Sequence, residues 1–343
     1  MSAKPNPEIN DGEGEFDLIG RIAKFTSSSQ SERESTVLVG IGDDGAVVSS
    51  PFGTYILTTD AIVDGVHFRS SDERWFDIGW KCAVSNLSDI AAMGGTPEHA
   101  LVTLGVPQGS YTETFDELYS GMSAAFEQFG GRIVGGDVVS SPTMFVNLAL
   151  TGHASKESDG KVAWLSRDAA VPGDLVCVTG PIGSSAGGLE VMLAGDTNPS
   201  GQILVDRHFR PTPRINVGRA LVAAGAKCAM DISDGLVSDL DKIAKQSNVN
   251  IDVEMLEIPL ANELIFMFGT SAIELALNGG EDYELVFTAS QSVLDRLSDE
   301  TRESITVIGT VSDSSSDPGH VTVRDENGDA YEPIHKGWDH LDG

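Results

Sequence analysis

The sequence predicts an α+β (mixed α/β) chain of two domains, and three observations carry that expectation. Its 343 residues, 40% of them hydrophobic, are enough for two ordinary cores. Segments with helical spacing alternate with short β-prone runs along the whole chain. A polar break at residues 155–160, SKESDG, reads as a linker between the halves. The expected division is a tail over residues 1–14, a first domain over 15–155 and a second over 156–343. No repeat of about 20–50 residues suggests a solenoid or propeller.

Residues 1–14 (MSAKPNPEINDGEG) are polar and rich in Pro, Gly and acid, the composition of a disordered tail. Phe16, Leu18, Ile19, Ile22, Ala23 and Phe25 recur at helical spacing and predict a helix over 16–27. Strands are expected over 37–41 and 55–59, with the end of a third element at 65–68. A long helix over 75–93 is closed by Gly94-Gly95 and Pro97. A strand at 100–106, a helix at 112–129 and strands at 132–134 and 145–153 complete the first half. Beyond the break, a strand at 174–179 leads through a Gly-rich turn into a helix over 183–193. Helices at 213–224 and 236–246 and strands at 285–288 and 306–310 follow.

Composition excludes several function classes. A formal net charge of −30 opposes binding to nucleic acid or to an anionic membrane. The three cysteines, Cys82, Cys177 and Cys228, are odd in number and far apart, so neither a disulfide framework nor a zinc site is expected. Residues 1–15 lack the apolar core of a secretory signal, and no apolar run approaches a membrane span. The expected compartment is the cytoplasm.

Gly40-Ile41-Gly42-Asp43-Asp44-Gly45 satisfies G-x-G-x-x-G after an apolar run, as a dinucleotide fingerprint would. Such a fingerprint needs a helix immediately after the glycines, to face the pyrophosphate. Here the chain reads strand, turn, strand, and two aspartates would meet a negative ligand. No Walker A loop is present either, since Gly160-Lys161 is followed by Val162. A protein of this sequence that handles phosphates would do so through carboxylates holding Mg²⁺.

Carboxylates of that kind recur beside small residues at the ends of apolar runs. They are Asp43-Asp44, Asp60, Asp89, Asp137, Asp231, Asp234 and Glu281-Asp282. Each alone is ordinary turn or cap chemistry, but strand ends are where polar sites are built on a packed scaffold. Around 231–246, Leu236, Leu240, Ile243 and Ala244 form the apolar face of a helix. Ser233 or Asp234 is expected to cap it, with Asp239 and Asp241 exposed. Asp234 serves equally well as a cap or as a metal ligand.

Nine motifs in order resemble the thiamine-monophosphate kinases, of the ATP-binding superfamily that includes aminoimidazole ribonucleotide synthetase and selenophosphate synthetase. They are Gly14-Glu15-Phe16-x-Leu18-Ile19, Gly40-Ile41-Gly42-Asp43-Asp44, Thr58-Thr59-Asp60, Gly65-Val66-His67-Phe68 and Asn86-Leu87-Ser88-Asp89-Ile90-Ala91-Ala92-Met93-Gly94. Gly135-Gly136-Asp137, Arg207-His208-x-Arg210-Pro211-x-Pro213-Arg214, Asp231-Ile232-Ser233-Asp234-Gly235 and Gly279-Gly280-Glu281-Asp282-Tyr283-Glu284-Leu285 complete the set. Gly45 and Asp64 stand where other residues are often found in the family, and the acidic tail is extra; none touches an implied ligand.

The resemblance implies a two-domain fold like that of aminoimidazole ribonucleotide synthetase, with N-terminal domains paired in a homodimer. It implies Mg²⁺-dependent transfer of the ATP γ-phosphoryl group to thiamine monophosphate, giving thiamine diphosphate and ADP. The acceptor is an already ionised phosphate oxygen, so positioning and charge neutralisation by several Mg²⁺ ions outweigh any need for a strong base. Asp44, Asp60, Asp89, Asp137, Asp231 and Asp234 are implied as metal ligands, with Thr58 and Thr59 assisting. Asp43 serves behind Asp44 or is itself the direct metal ligand, the two being inseparable by sequence. Tyr119, Gly136, Asp137, Arg167 and Ser233 match positions that meet ATP, and Arg167 suits a phosphate clamp. His67, Glu281 and Trp338 match positions that meet thiamine monophosphate, and Trp338 could stack on its cationic ring. His67, Trp338 and Tyr119 also have plain packing uses, and 207–214 (RHFRPTPR) reads as a rigid helix start. Sister enzymes with a reactive N-terminal or C-terminal cysteine fit less well, since neither end of this chain carries one.

Overall fold

The computed structural model describes residues 18–20, 22–23, 36–72, 74–313 and 318–331. The implied substrate contact Trp338 lies outside the described residues, as do the tail and most of the expected 16–27 helix, of which 18–20 and 22–23 are helical.

The first half is a six-stranded sheet covered on one face by two long helices. Its strands are β1 (Val37–Val39), β2 (Ala46–Ser50), β3 (Gly53–Val63), β4 (Thr96–Val106), β5 (Arg132–Ser140) and β6 (Phe145–His153). They lie in the order β1-β2-β3-β6-β4-β5, antiparallel except where β4 and β5 pair in parallel. Alternation along β3 decides which side chains meet the helices. Ile56 is fully buried, and Thr58 and Asp60 share its face, whereas Leu57, Thr59 and Ala61 point the other way. The helices are Trp75–Ala92 and Thr112–Phe129. They approach so closely that a Cβ at Gly79 would strike the Leu118 carbonyl, and one at Gly121 the Phe76 carbonyl.

After a small hairpin of β7 (Ser155–Lys156) and β8 (Val162–Ala163), the second half is built on a seven-stranded sheet, to which β9 (Leu175–Val178), β10 (Cys228–Asp231), β11 (Asn250–Glu254), β12 (Leu285–Ala289) and β13 (Thr306–Ser312) contribute. Helices Ile215–Ala224 and Leu236–Ser247 pack on it, while helices Ser184–Ala194 and Pro199–Phe209 pack on each other and on the 262–278 segment. One core joins the halves: Leu87, Ala91 and Met93 belong to the same buried cluster as Leu221, Val222 and Phe287.

The polar stretch at 155–160 begins a small hairpin, Ser155–Lys156 against Val162–Ala163, whose turn is closed by the Gly160 N–H donating to the Glu157 carbonyl at 2.9 Å. Two expectations need correction. The strand expected at 132–134 runs on through Gly135-Gly136-Asp137 to Ser140, because parallel pairing with β4 carries it past the glycines. Asp239 is not exposed but fully buried. Helices at 199–209, 262–268 and 272–278 and strands β10 and β11 escaped the reading, being short or lacking a clean period.

Candidate active site

Three carboxylates from distant parts of the chain converge. One ligand oxygen each from Asp44, Asp89 and Asp231 lies within 4.8 Å of the others. Asp44 comes from the loop between β1 and β2, Asp89 from the last turn of helix Trp75–Ala92, and Asp231 from the end of β10. The loop turns at Gly42, whose φ of 124° is open to glycine and costly for other residues. Each carboxylate is held by a donor. Arg167 pairs with Asp44, the Thr58 hydroxyl donates to Asp89, and the Ser88 hydroxyl donates to Asp231 at 2.7 Å.

This arrangement resists its own charge. Burial, then the charges of Asp60 and Asp231, push the Asp89 carboxyl well above the usual carboxylate range. Burial, then Asp44, does the same to Asp231. Asp89 also sits at the negative end of its helix dipole, which adds to the cost. Meanwhile Asp44 Oδ2 is buried without a hydrogen-bond partner among the described residues. Three hard oxygen donors, mutually repelling and incompletely satisfied, suit a small divalent cation of the Mg²⁺ type.

Asp43 works behind Asp44. It accepts from the Asp44 N–H at 2.9 Å, from the Ser166 hydroxyl at 2.7 Å and from the Arg167 N–H at 3.1 Å. Burial and then Asp44 raise its pKa to about 6. The Arg167 guanidinium pairs with both aspartates, and its Nε makes no hydrogen bond among the described residues; burial opposes its charge, but Asp44 and then Asp43 outweigh that. Asp60 stands beside the cluster, its N–H donating to Asn86 Oδ1 at 3.1 Å.

Asp234 lies apart from the three-carboxylate group and takes Lys242 Nζ at 2.5 Å. Neither it nor Ser233 caps the following helix. No side chain caps its Gly235 N-cap; instead Asp239, from within the first turn, reaches back to pin the preceding loop, one oxygen accepting the N–H groups of Ser233, Asp234 and Gly235 at 3.0–3.2 Å. That buried carboxylate was missed because a polar residue in a first turn usually faces water. Thr59 and Asp137 lie on the other face of the sheet. The Thr59 hydroxyl donates to the Leu148 carbonyl at 3.1 Å, and Asp137 sits opposite Thr103 on the edge strand. In the register of the sheet, Ala61, Asn147, Thr103 and Asp137 form one row across that outward face. Gly136 has a packing reason, since a Cβ there would strike the Val102 carbonyl. Tyr119 packs, partly buried, against the first core.

Glu281 anchors a second cluster next to the first, with His67 close enough to act on it electrostatically. The Val63 N–H donates to His67 Nδ1 at 3.1 Å, and the His67 charge is felt by Glu281. Glu281 accepts from Lys81 Nζ at 2.6 Å, a buried lysine that sequence reading passed over because one charge on an apolar helix resembles a solvated one. The rest of GGEDYEL is divided among supports. Asp282 accepts the N–H groups of Gly183 at 2.5 Å and Ser185 at 2.9 Å, at the start of helix Ser184–Ala194. Glu284 pairs with Arg214 and accepts from the Thr179 hydroxyl at 2.7 Å. The arginines of RHFRPTPR are likewise engaged: Arg210 reaches Asp77 at 2.5 Å and Arg207 reaches Glu263 at 3.4 Å.

Comparison with known proteins bears on the whole chain. The family described as AIR synthase related protein, N-terminal domain, matches residues 42–154, and the corresponding C-terminal domain matches residues 171–321. The thiamine-monophosphate kinase of Aquifex aeolicus (strain VF5) is 36% identical over 282 residues, covering 80% of this chain and 85% of that protein. The Bacillus subtilis (strain 168) protein of the same name is 37% identical over 293 residues, covering 83% and 86%. The solved structure of AaThiL complexed with AMPPCP and TMP matches with a TM-score of 0.82 at 35% identity, covering 96% of this chain and 97% of that one.

Proposed function

We propose, for a chain that belongs to the thiamine-monophosphate kinase family of AIR synthase related proteins, transfer of the ATP γ-phosphoryl group to thiamine monophosphate, giving thiamine diphosphate and ADP. The observation that carries the chemistry is the convergence of Asp44, Asp89 and Asp231 within 4.8 Å. What opposes this reaction is the approach of two phosphate anions, so a kinase of this kind needs fixed positive charge more than a base. Mg²⁺ ions held by these three aspartates, with Asp60 beside them, would neutralise phosphate oxygens and let the acceptor approach.

The chain's own residues do the positioning. Arg167, Thr58 and Ser88 fix the carboxylates so that little reorganisation is needed when ligands arrive. Asp43 ties the aspartate loop to the 166–167 segment of the other half, closing the site floor across both sheets. A buried Ser–His pair does exist, Ser185 with His208 at 2.9 Å. It does not supply a base: the other ring nitrogen of His208 faces Lys81 at 3.4 Å, and burial and then Lys81 push its pKa down to about 3.

The same reading includes a homodimer. The outward face of the first sheet leaves Leu57 at 40% and Leu101 at 53% exposure, and a second copy would cover them. Thr59, Asn147 and Asp137 share that face, so we place Asp137 at the seam between copies. A cytoplasmic setting accords with three free, buried cysteines, and no helix among the described residues is long and apolar enough to cross a membrane.

ADP release from ATP and Mg²⁺, measured with and without thiamine monophosphate, tests the activity. Thiamine monophosphate should raise turnover strongly, with thiamine diphosphate recovered in equal amount. Turnover indifferent to that acceptor would sink the reading.

A further inference from the structure

Glu281 sits where four elements meet, and its surroundings do more than fill space. Its backbone is left-handed, at φ 65°, as is that of Tyr283 at φ 52°, conformations that cost a side-chain-bearing residue energy. The loop is pinned on both sides of the first strained residue. The Glu281 N–H donates to the Ser233 carbonyl at 2.8 Å and the Tyr283 N–H to the Ile232 carbonyl at 3.0 Å. The side chain is pinned as well. Glu281 Oε2 takes Lys81 Nζ at 2.6 Å and lies 3.9 Å from His208 Nδ1. Both contacts fall on one oxygen, which leaves Oε1 without a hydrogen bond among the described residues.

The group behind Oε2 is itself ordered. Lys81 has only protons to offer, so His208 Nε2, at 3.4 Å, receives one as an acceptor. Nδ1 then carries the ring proton and donates it to the Ser185 hydroxyl at 2.9 Å. Ser185 is held in turn by its N–H to Asp282. This chain of contacts spans helix Trp75–Ala92, helix Pro199–Phe209, the start of helix Ser184–Ala194 and the 279–284 loop.

We propose that Lys81, braced by His208, is a positioning residue that holds Glu281 by Oε2 and so presents Oε1 to a hydrogen-bond donor of the acceptor substrate. The inference rests on the proposed kinase reading, under which the donor would be the exocyclic amine of an aminopyrimidine. Lys81 touches no substrate atom itself. Without it, burial disfavours the charged carboxylate and the side chain loses its fixed rotamer. With it, the charge and hydrogen bond of Lys81 lead the effects that outweigh burial, and Glu281 ionises more readily than usual.

A double-mutant cycle tests the proposal, using Lys81→Met, Glu281→Gln and the pair together in the full chain. Calorimetric Kd for thiamine monophosphate is read beside KM and kcat. Lys81→Met should weaken thiamine monophosphate about tenfold in Kd and KM, with a smaller change in kcat and none in KM for ATP. On the Glu281→Gln background the same change should add little, since Lys81 acts through that carboxylate. The pair removes both members of the ion pair together and leaves neither charge unpaired, which keeps the cycle readable should Lys81→Met alone unfold. Additive losses, or a folded Lys81→Met protein with unchanged Kd, would overturn the proposal while leaving the kinase reading intact. A wild-type protein that neither binds nor phosphorylates thiamine monophosphate would overturn the kinase reading instead.

Discussion

Asp231 carries the conflict between stability and function most plainly. It is buried beside Asp44 and Asp89, and its charge is disfavoured by burial and then by Asp44. Asp231→Asn keeps the acceptor for the Ser88 hydroxyl while removing one repelling charge. In EDTA the variant should melt no lower than wild type, and up to a few degrees higher, a gain of about 1 kcal/mol. Turnover should fall about a hundredfold or more, and the rise in Tm on adding Mg²⁺ should shrink. Melts with and without Mg²⁺ check this; an undiminished Mg²⁺ response would remove Asp231 from the cation site. His208 yields a pH prediction. Its pKa drops from 6.5 unfolded to about 3 folded, through burial and then Lys81. Between those values the unfolded chain binds a proton that the folded one lacks. The contribution is therefore complete above pH 6.5 and is lost as pH falls towards 3, by at most about 1.4 kcal/mol per unit. His208→Gln lacks that slope, so the Tm gap between wild type and variant should change on going from about pH 7 to about pH 5. A gap independent of pH would argue against a neutral buried His208.

At the level of elements, the two long helices of the first half depend on absent side chains. Gly79 and Gly121 lie where a Cβ would meet the backbone of the facing helix. Helix propensity alone would favour alanine at both sites by nearly 1 kcal/mol. Packing should win instead, because backbone cannot move aside as a side chain can. Gly79→Ala or Gly121→Ala should cost about 3 kcal/mol, read from the denaturant midpoint. A variant as stable as wild type would mean the helices can separate freely. The consequence reaches the site, since the Gly79 helix carries Lys81, Asn86, Ser88 and Asp89. Helix Leu236–Ser247 is anchored differently, by Asp239 reaching back to three N–H groups. Spacing alone favoured Ser233 or Asp234 as its cap; the loop's path made Asp239 the acceptor.

For the whole molecule, the proposed dimer follows from the uncovered face of the first sheet. Leu101→Arg would place a charge in the centre of the seam, opposite Ala149 and beside Thr59 and Gly135 in the sheet register. Light scattering should find wild type at twice the chain mass and the variant at the chain mass, with activity reduced. A monomeric wild type would end the dimer reading. Much of the protein was legible along the chain. The long helices 75–92 and 112–129 announced themselves by apolar period, and the turn after β1 by its glycines. The aspartates could be named because carboxylates beside small residues at strand ends stand out from their apolar surroundings. Their grouping could not be read. Asp44, Asp89 and Asp231 lie on a loop, a helix end and a strand of two different sheets, and only the shared core of Leu87, Ala91 and Leu221 brings them together. Asp137 looked equivalent, yet strand pairing puts it on the outward face, and nothing local marks Lys81, which is buried against the 281 loop. Sequence by itself determined the local backbone and the kinds of chemistry available, because period, turn residues and charge act over a few positions. Tertiary structure alone decided which charges meet, because that depends on long-range pairing and packing that no local pattern encodes.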